Sequence, residues 1–108
     1  MDGVGEDKRR KAFRLLELTG AMLESARAED WIALARGERE RQELARDLFA
    51  TAVPPDAAVT VAECIRQVLD LDTELLALTS AAREEAARAM QDVRHGQKAL
   101  DTYRRFSG

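Results

Sequence analysis

The apolar residues of this chain recur at spacings of three and four, which is the period of an amphipathic α-helix. One such row predicts a helix over about residues 8–28, with the apolar members Ala12, Leu15, Leu16, Met22, Leu23 and Ala26. A second row predicts a helix over about 31–50 that is N-capped by Asp30 and carries Trp31, Leu34, Leu44, Ala45, Leu48 and Phe49. Residues 1–7 contain two glycines and show no period, so we expect a disordered N-terminus.

The third apolar row is the longest and follows a heptad. Pro54 and Pro55 break the chain after the second helix, and Thr60 with Glu63 forms a capping box, so we expect a helix over about 61–94. The row contains Ile65, Val68, Asp72, Leu75, Thr79, Ala82, Ala86, Ala89, Val93, Gly96, Leu100 and Tyr103. Gly96 offers a break, which predicts a short fourth helix over about 97–106.

These elements predict an all-α fold, an antiparallel helical bundle of three main helices with a long third helix and a short C-terminal fourth helix or extension. The bundle would form one domain over residues 8–106. Packing the rows in an antiparallel register sets Leu48 near Ile65 and brings Thr19, Arg41 and Asp72 into one layer. These three residues either face solvent at the edge of the bundle or form a buried polar layer that fixes the register.

The third pattern is longer than the helices that could pack against it. It spans roughly 69 Å over residues 61–106, against roughly 30 Å for each of the other two rows. Its second half nevertheless stays apolar, and an apolar surface of this kind usually marks an interface. We expect the partner-binding residues to be Ala86, Met90, Val93, Leu100, Tyr103 and Phe106. The segment 97–106 would fold back over Met90 and Val93, or else continue the third helix.

Composition narrows the function. The chain has 108 residues, a formal net charge of −3, a single cysteine and no apolar run long enough to cross a bilayer, which favours one small soluble domain in a reducing cytoplasm. Asp92 and His95 could supply two metal ligands, but no further His or Cys lies near enough to complete a site. We therefore expect no catalysis, no metal and no cofactor.

Two basic runs raise the question of nucleic-acid binding. They are KRRK at residues 8–11 and the Arg104–Arg105 pair. The net charge is acidic and no helix-turn-helix pattern is present, so direct binding to nucleic acid is the weaker alternative.

Three segments carry a resemblance to a known family. EDWIALARGERERQELARDLF at 29–49, VLDLDTELLAL at 68–78 and RHGQKALDTYRR at 94–105 occur in an order that resembles the FliT-type flagellar export chaperones. One departure is Gly37, where the family pattern has a large apolar residue. A glycine there leaves space beside it and costs roughly 1 kcal/mol of helix stability relative to alanine.

The resemblance implies a cytoplasmic chaperone that binds an amphipathic helical segment of the flagellar filament-capping protein. Such a chaperone brings its cargo to the export ATPase and the export gate of the flagellar type III apparatus. Some relatives also bind the master transcriptional activator of the flagellar genes. The alternative is a homodimeric coiled-coil adaptor, or a regulator of flagellar gene transcription that acts by protein–protein contact.

Overall fold

The computed structural model describes residues 3–107, which form three α-helices and contain no β-strand. The helices are α1 (Gly3–Arg27), α2 (Trp31–Leu48) and α3 (Pro55–Ser107). They pack together, and the all-α fold class is therefore confirmed. The chain divides into two compact units, Met1–Leu78 and Thr79–Gly108, and α3 contributes to both.

The turn between α1 and α2 lies where the sequence predicts it. The backbone N–H of Asp30 donates to the carbonyl of Ser25 at 2.8 Å, and that of Glu29 donates to Ala26 at 3.1 Å, which is the Schellman pattern of a helix C-terminus. Glu29 adopts a positive φ of 58°, as the motif requires. The Asp30 carboxylate then accepts from the backbone N–H of Ala33 at 3.1 Å, so Asp30 is the expected N-cap of α2.

Helix α3 begins at Pro55, earlier than the start at about residue 61 that the capping-box pattern predicts. Proline is well tolerated at the first helical position, because its missing N–H would have no intrahelical partner there and its φ is already helical. The backbone N–H of Ala57 donates to the carbonyl of Pro54 at 3.0 Å, and the Ala57 side chain is fully buried. The second proline therefore starts the helix.

Helix α3 also continues through Gly96 to Ser107, so the predicted short fourth helix over 97–106 is not a separate element. A single glycine in a helix costs only about 1 kcal/mol relative to alanine, and the residues around it are mostly good helix formers. A break would need a proline or a tertiary contact that favours the turn. The residues expected to fold back instead form the last turns of α3.

Helix α1 begins at Gly3, ahead of the predicted start near residue 8, and the rest of the expected disordered segment, residues 1 and 2, lies outside the described residues. Asp7 therefore lies within the second turn of α1. Its carboxylate pairs with Lys11 one turn on, at 2.9 Å, and the hydrogen bond from Lys11 lowers the pKa of Asp7. The same hydrogen bond raises the pKa of Lys11, as does a second one to Asp47 on α2.

The core of the first unit consists of two clusters of buried apolar side chains. One cluster contains Ala12, Leu15, Leu48, Ala57, Val61, Cys64 and Val68. The other contains Leu18, Met22, Leu23, Ala26, Leu34 and Leu75. Both draw on all three helices. Burial raises the pKa of the Cys64 thiol, so this cysteine acts as a small apolar residue of the core.

A polar layer formed by Thr19, Arg41 and Asp72 lies between the two clusters along α2 and α3, and next to Leu18 on α1. The Arg41 Nη1 donates to Asp72 Oδ1 at 2.5 Å and to Thr19 Oγ1 at 3.5 Å. Thr19 is fully buried, whereas the Arg41 and Asp72 side chains keep 25% and 33% of their surface exposed. The predicted register is thus present, and the layer is intermediate between the two alternatives, with one member buried and two half-buried.

We expect Arg41→Ala and Asp72→Ala each to lower the free energy of unfolding by about 1–2 kcal/mol, because each leaves a half-buried charge without its partner. The double variant should lose less than the sum of the two. Urea denaturation followed by circular dichroism measures all three values. The exposed pair Arg14–Glu40, at 2.8 Å between α1 and α2, is the matched control and should change stability by no more than about 0.5 kcal/mol. Equal losses of unfolding free energy at the Arg41–Asp72 and Arg14–Glu40 pairs would contradict a special role for the polar layer.

Candidate functional site

All six predicted partner-binding residues lie on α3 in the second unit, and all are exposed. Exposed fractions are 58% for Met90, 57% for Val93, 48% for Leu100, 68% for Tyr103 and 87% for Phe106. The structure therefore contains the apolar surface but not the covering segment. Leu100, Tyr103 and Phe106 follow Met90 and Val93 on one continuous helix, so they cannot lie over them.

A regular helix brings most of the six residues onto one face. At 100° per residue, Ala86, Met90, Val93 and Leu100 fall within an arc of about 80°. Tyr103 adjoins this arc, whereas Phe106 lies on a different side of the helix. We call the residues Ala86, Met90, Val93, Leu100 and Tyr103 the apolar stripe. Phe106 was expected on this surface because it continues the apolar part of the sequence, but its helical position places it on a different side of α3.

Small residues on the same face were missing from the predicted set. Ala89 and Gly96 lie beside the stripe by helical periodicity, and a Cβ built on Gly96 would meet no atom within 4 Å. Such positions let the backbone of a second helix approach closely. The heptad row in the sequence already contains both residues, so their spacing was the available signal.

Basic side chains are concentrated at the C-terminal end of α3. By helical periodicity, Arg104 lies within the arc of the stripe, whereas Lys98 and Arg105 lie on the opposite side of the helix. Residues 93–107 contain the cations Arg94, Lys98, Arg104 and Arg105 and the single carboxylate Asp101. Within the part of the chain that the structure describes, none of the four cations takes part in an ion pair with another residue. Their charge is therefore available to a partner.

A second apolar surface lies in the first unit, between the end of α2 and the start of α3. It is an open groove of about 410 Å³, lined by Phe49, Val53, Ala58, Val61, Ala62, Ile65, Arg66 and Leu69. The sequence pattern places Phe49 in the apolar row of the second helix and Ile65 in that of the third. Ile65 packs, partly buried, against the core, whereas Phe49 is 56% exposed. Phe49 lies at the end of its helical row, where periodicity alone does not separate buried positions from rim positions. Leu69 is 60% exposed and lies outside the predicted row of the third helix.

The first basic run is engaged within the fold. The buried Lys8 Nζ donates to the carbonyls of Leu48 and Thr51, and Arg9 pairs with Asp56 at 3.7 Å. Lys11 pairs with Asp47 at 2.9 Å. Three of the four cations in this run therefore hold α1 against the end of α2 and the start of α3, which weakens the case for nucleic-acid binding at residues 8–11.

Residues 3–107 give little support for metal binding or for a membrane-spanning helix. No group of three or more His, Cys, Asp or Glu residues within that range is arranged to hold a metal ion. None of the described helices combines the length and the apolar character needed to cross a membrane. The stripe thus remains the strongest candidate site.

A comparison with protein-family models decides the family. The model described as flagellar protein FliT matches residues 10–105, which is most of both units. The chain belongs to the FliT family. The resemblance found in the sequence is confirmed, and the FliT assignment implies a flagellar protein with a chaperone-type role rather than an enzyme. A search of curated proteins and a search of solved structures found no match. Within this FliT-family chain, the apolar stripe and the groove of the first unit both expose large apolar side chains.

Proposed function

We propose that this protein is a cytoplasmic export chaperone. It binds an amphipathic helical segment of the flagellar filament-capping protein and delivers it to the flagellar type III export apparatus. The export ATPase and the export gate would be its next contacts. The FliT family membership supports a flagellar role, and the apolar stripe supports the binding of a helix.

The observation that carries this proposal is the exposure of large apolar side chains in a helical row. Met90, Val93 and Leu100 each keep about half of their surface open to solvent. An amphipathic helix that lays its own apolar row on this face would bury both surfaces, and its apolar side chains would supply most of the affinity. The cargo segment would in turn be kept from assembling.

The proposal is tested with the double variant Val93→Glu/Leu100→Glu, which places two charges in the centre of the stripe. Capture of the filament-capping protein by the purified chaperone should fall at least about tenfold, because a buried carboxylate without a partner costs more than the apolar contact it replaces. Both side chains are exposed, so the free energy of unfolding should change by no more than about 0.5 kcal/mol.

Two controls separate the stripe from the rest of α3. Val59→Glu changes an 83% exposed side chain outside both apolar surfaces and should leave capture unaltered. Leu69→Glu changes the groove in the first unit. Loss of capture by Leu69→Glu alone, with Val93→Glu/Leu100→Glu still active, would move the binding site to the groove and contradict the proposal.

A homodimeric adaptor is the second candidate, because the heptad spacing of the stripe is also that of a coiled coil. It would act as a structural link or as a regulator of flagellar gene transcription through contact with the transcriptional activator. Analytical ultracentrifugation at micromolar concentration distinguishes the two functions. A dimer that stays intact in the presence of the capping protein would favour the adaptor.

A further inference from the structure

The last turns of α3 divide into an apolar side and a basic side. At about 100° per residue, the apolar residues of 93–106 fall within an arc of about 140° on the helix surface. They are Val93, Gly96, Ala99, Leu100, Tyr103 and Phe106. No polar residue of 93–106 falls within this arc. We call residues 93–106 the amphipathic segment.

Most cations of the amphipathic segment lie on the other side of the helix. Arg94, Lys98 and Arg105 fall within an arc of about 40° that is centred almost opposite the apolar arc. Arg104 lies next to the edge of the apolar arc. With Asp101 as the single carboxylate, the segment has a net charge of +3 with its histidine neutral, in a chain whose formal net charge is −3.

Both sides of the amphipathic segment are open to solvent. Exposed fractions lie between 48% and 87% for its four large apolar side chains, Val93, Leu100, Tyr103 and Phe106. On α1, in contrast, Arg14 pairs with Glu40 at 2.8 Å. The four cations of the segment take part in no ion pair with another residue between 3 and 107. A ligand can therefore reach the apolar side and the basic side together.

We propose that the amphipathic segment binds the surface of a membrane that contains anionic lipid, with the helix axis along that surface. A helix divided in this way is typical of interfacial binding, in which the apolar side enters about 5–10 Å into the boundary between headgroups and acyl chains. Because a helix is about 10–12 Å across, the cations on its far side stay within one Debye length, about 8 Å at physiological salt, of the lipid phosphates. Tyr103 suits this depth, since its ring is apolar and its hydroxyl is polar.

Other ligands would use only one side of the amphipathic segment. A nucleic acid would contact the cations and leave Leu100 and Phe106 in water. A helix seated on the apolar stripe would cover Leu100 and leave unpaired the cations that lie opposite. An anionic bilayer surface engages both sides, and it also covers Phe106, which lies outside the apolar stripe.

The test measures co-sedimentation of the full chain with sucrose-loaded vesicles of phosphatidylcholine alone, or of an equal mixture with the anionic lipid phosphatidylglycerol. We expect the chain to bind the mixed vesicles at least about tenfold more tightly, with a difference that shrinks as salt is added, because each cation near an anionic surface strengthens binding. Lys98→Glu/Arg105→Glu should remove this preference. Leu100→Gln/Phe106→Gln should lower binding to the mixed vesicles at least about tenfold, because the apolar side then has less surface to bury.

Two controls make the same kinds of change on α2. Arg36→Glu/Arg39→Glu changes the net charge by the same amount at two exposed positions, and Ile32→Gln removes a 71% exposed apolar side chain. Both controls should bind the mixed vesicles as the parent chain does. Equal losses of binding in the controls and in the segment variants would show that the segment is not the binding surface, and would contradict the proposal.

Tryptophan fluorescence shows which side of the segment meets the lipid. Trp31→Phe removes the single tryptophan of the chain. A second substitution, either Tyr103→Trp on the apolar side or Thr102→Trp on the polar side, then supplies one probe. With mixed vesicles, the emission of the Tyr103→Trp chain should shift to the blue, whereas that of the Thr102→Trp chain should not. Equal shifts would contradict the proposed orientation.

Absence of binding to the mixed vesicles would overturn the proposal. Binding that survives Leu100→Gln/Phe106→Gln would overturn it as well, because the apolar side would then contribute nothing. A labelled DNA duplex of random sequence that binds the chain and is released by Lys98→Glu/Arg105→Glu, in the absence of vesicle binding, would assign the cations to nucleic acid. The vesicles are tested without the capping protein, so lipid binding and the proposed function can fail separately.

Discussion

Gly37→Leu is expected to lower the free energy of unfolding by about 2–3 kcal/mol, although leucine is the better helix former. A Cβ built on Gly37 would lie 2.6 Å from the Cγ of Met22, and Met22 is only 1% exposed, so neither side chain can move aside into solvent. Overpacking of a tight core usually costs about 1–3 kcal/mol, which exceeds the gain of about 1 kcal/mol in helix propensity. Chemical denaturation followed by circular dichroism measures the change.

The matched control is Gly20→Leu, because a Cβ at Gly20 in α1 would meet no atom within 4 Å. That variant should be neutral or more stable than the parent. Met22→Ala removes the obstacle and should by itself cost about 2–4 kcal/mol through the cavity that it leaves. Adding Gly37→Leu to Met22→Ala should then recover part of that loss. A double variant whose loss equals the sum of the two single losses would show that the two positions do not share one space.

The packing of Met22 against Gly37 explains why this chain has a glycine at the position where the family pattern has a large apolar residue. The sequence suggested that Gly37 leaves a void where the family has a large apolar side chain. In the structure Gly37 is buried and the void is filled from the neighbouring helix by Met22. The side-chain volume that fills this space thus comes from Met22 on α1 and not from a residue of α2. A methionine suits this role, because its unbranched side chain adapts to irregular space.

The parts of the fold that could be predicted are those set by short-range patterns. Asp30 caps α2 because its side chain needs only the backbone N–H of Ala33, three residues away. The polar layer could be predicted because the heptad period of α3 and short connections leave few registers for the three rows. Pairing of Arg41 with Asp72 follows from that register, and no knowledge of the tertiary fold was needed.

The parts that could not be predicted depend on small energies or on contacts between distant residues. Whether Gly96 ends a helix is decided by about 1 kcal/mol, which a sequence pattern does not resolve. A proline in a sequence usually indicates the end of a helix, so the pattern alone did not show that Pro55 is the first residue of α3. The apolar stripe was found mainly from its heptad spacing, whereas Phe106 lies outside that spacing and was included as an apolar residue at the end of the row.

Lys8 is the clearest case of a contact between distant residues, and its removal should have one of the largest effects on stability. It lies on α1, is 3% exposed, and its Nζ donates to the carbonyls of Leu48 at 2.5 Å and Thr51 at 3.1 Å. The last carbonyls of a helix have no intrahelical donor and carry its negative dipole end. The ammonium of Lys8 therefore caps α2 from another helix.

Lys8→Met keeps most of the aliphatic length and removes the charged donor. We expect the free energy of unfolding to fall by about 2–3 kcal/mol, because two carbonyls lose a charge-assisted hydrogen bond at a site that water reaches poorly. Urea denaturation followed by circular dichroism measures this loss. Arg10→Met, in the same basic run, is the matched control: Arg10 keeps 71% of its side chain exposed and pairs with Asp7 at 3.8 Å. That substitution should change stability by no more than about 0.5 kcal/mol. Similar small losses at both positions would mean that water replaces the Lys8 ammonium at the carbonyls of Leu48 and Thr51, and that the end of α2 needs no cap from α1.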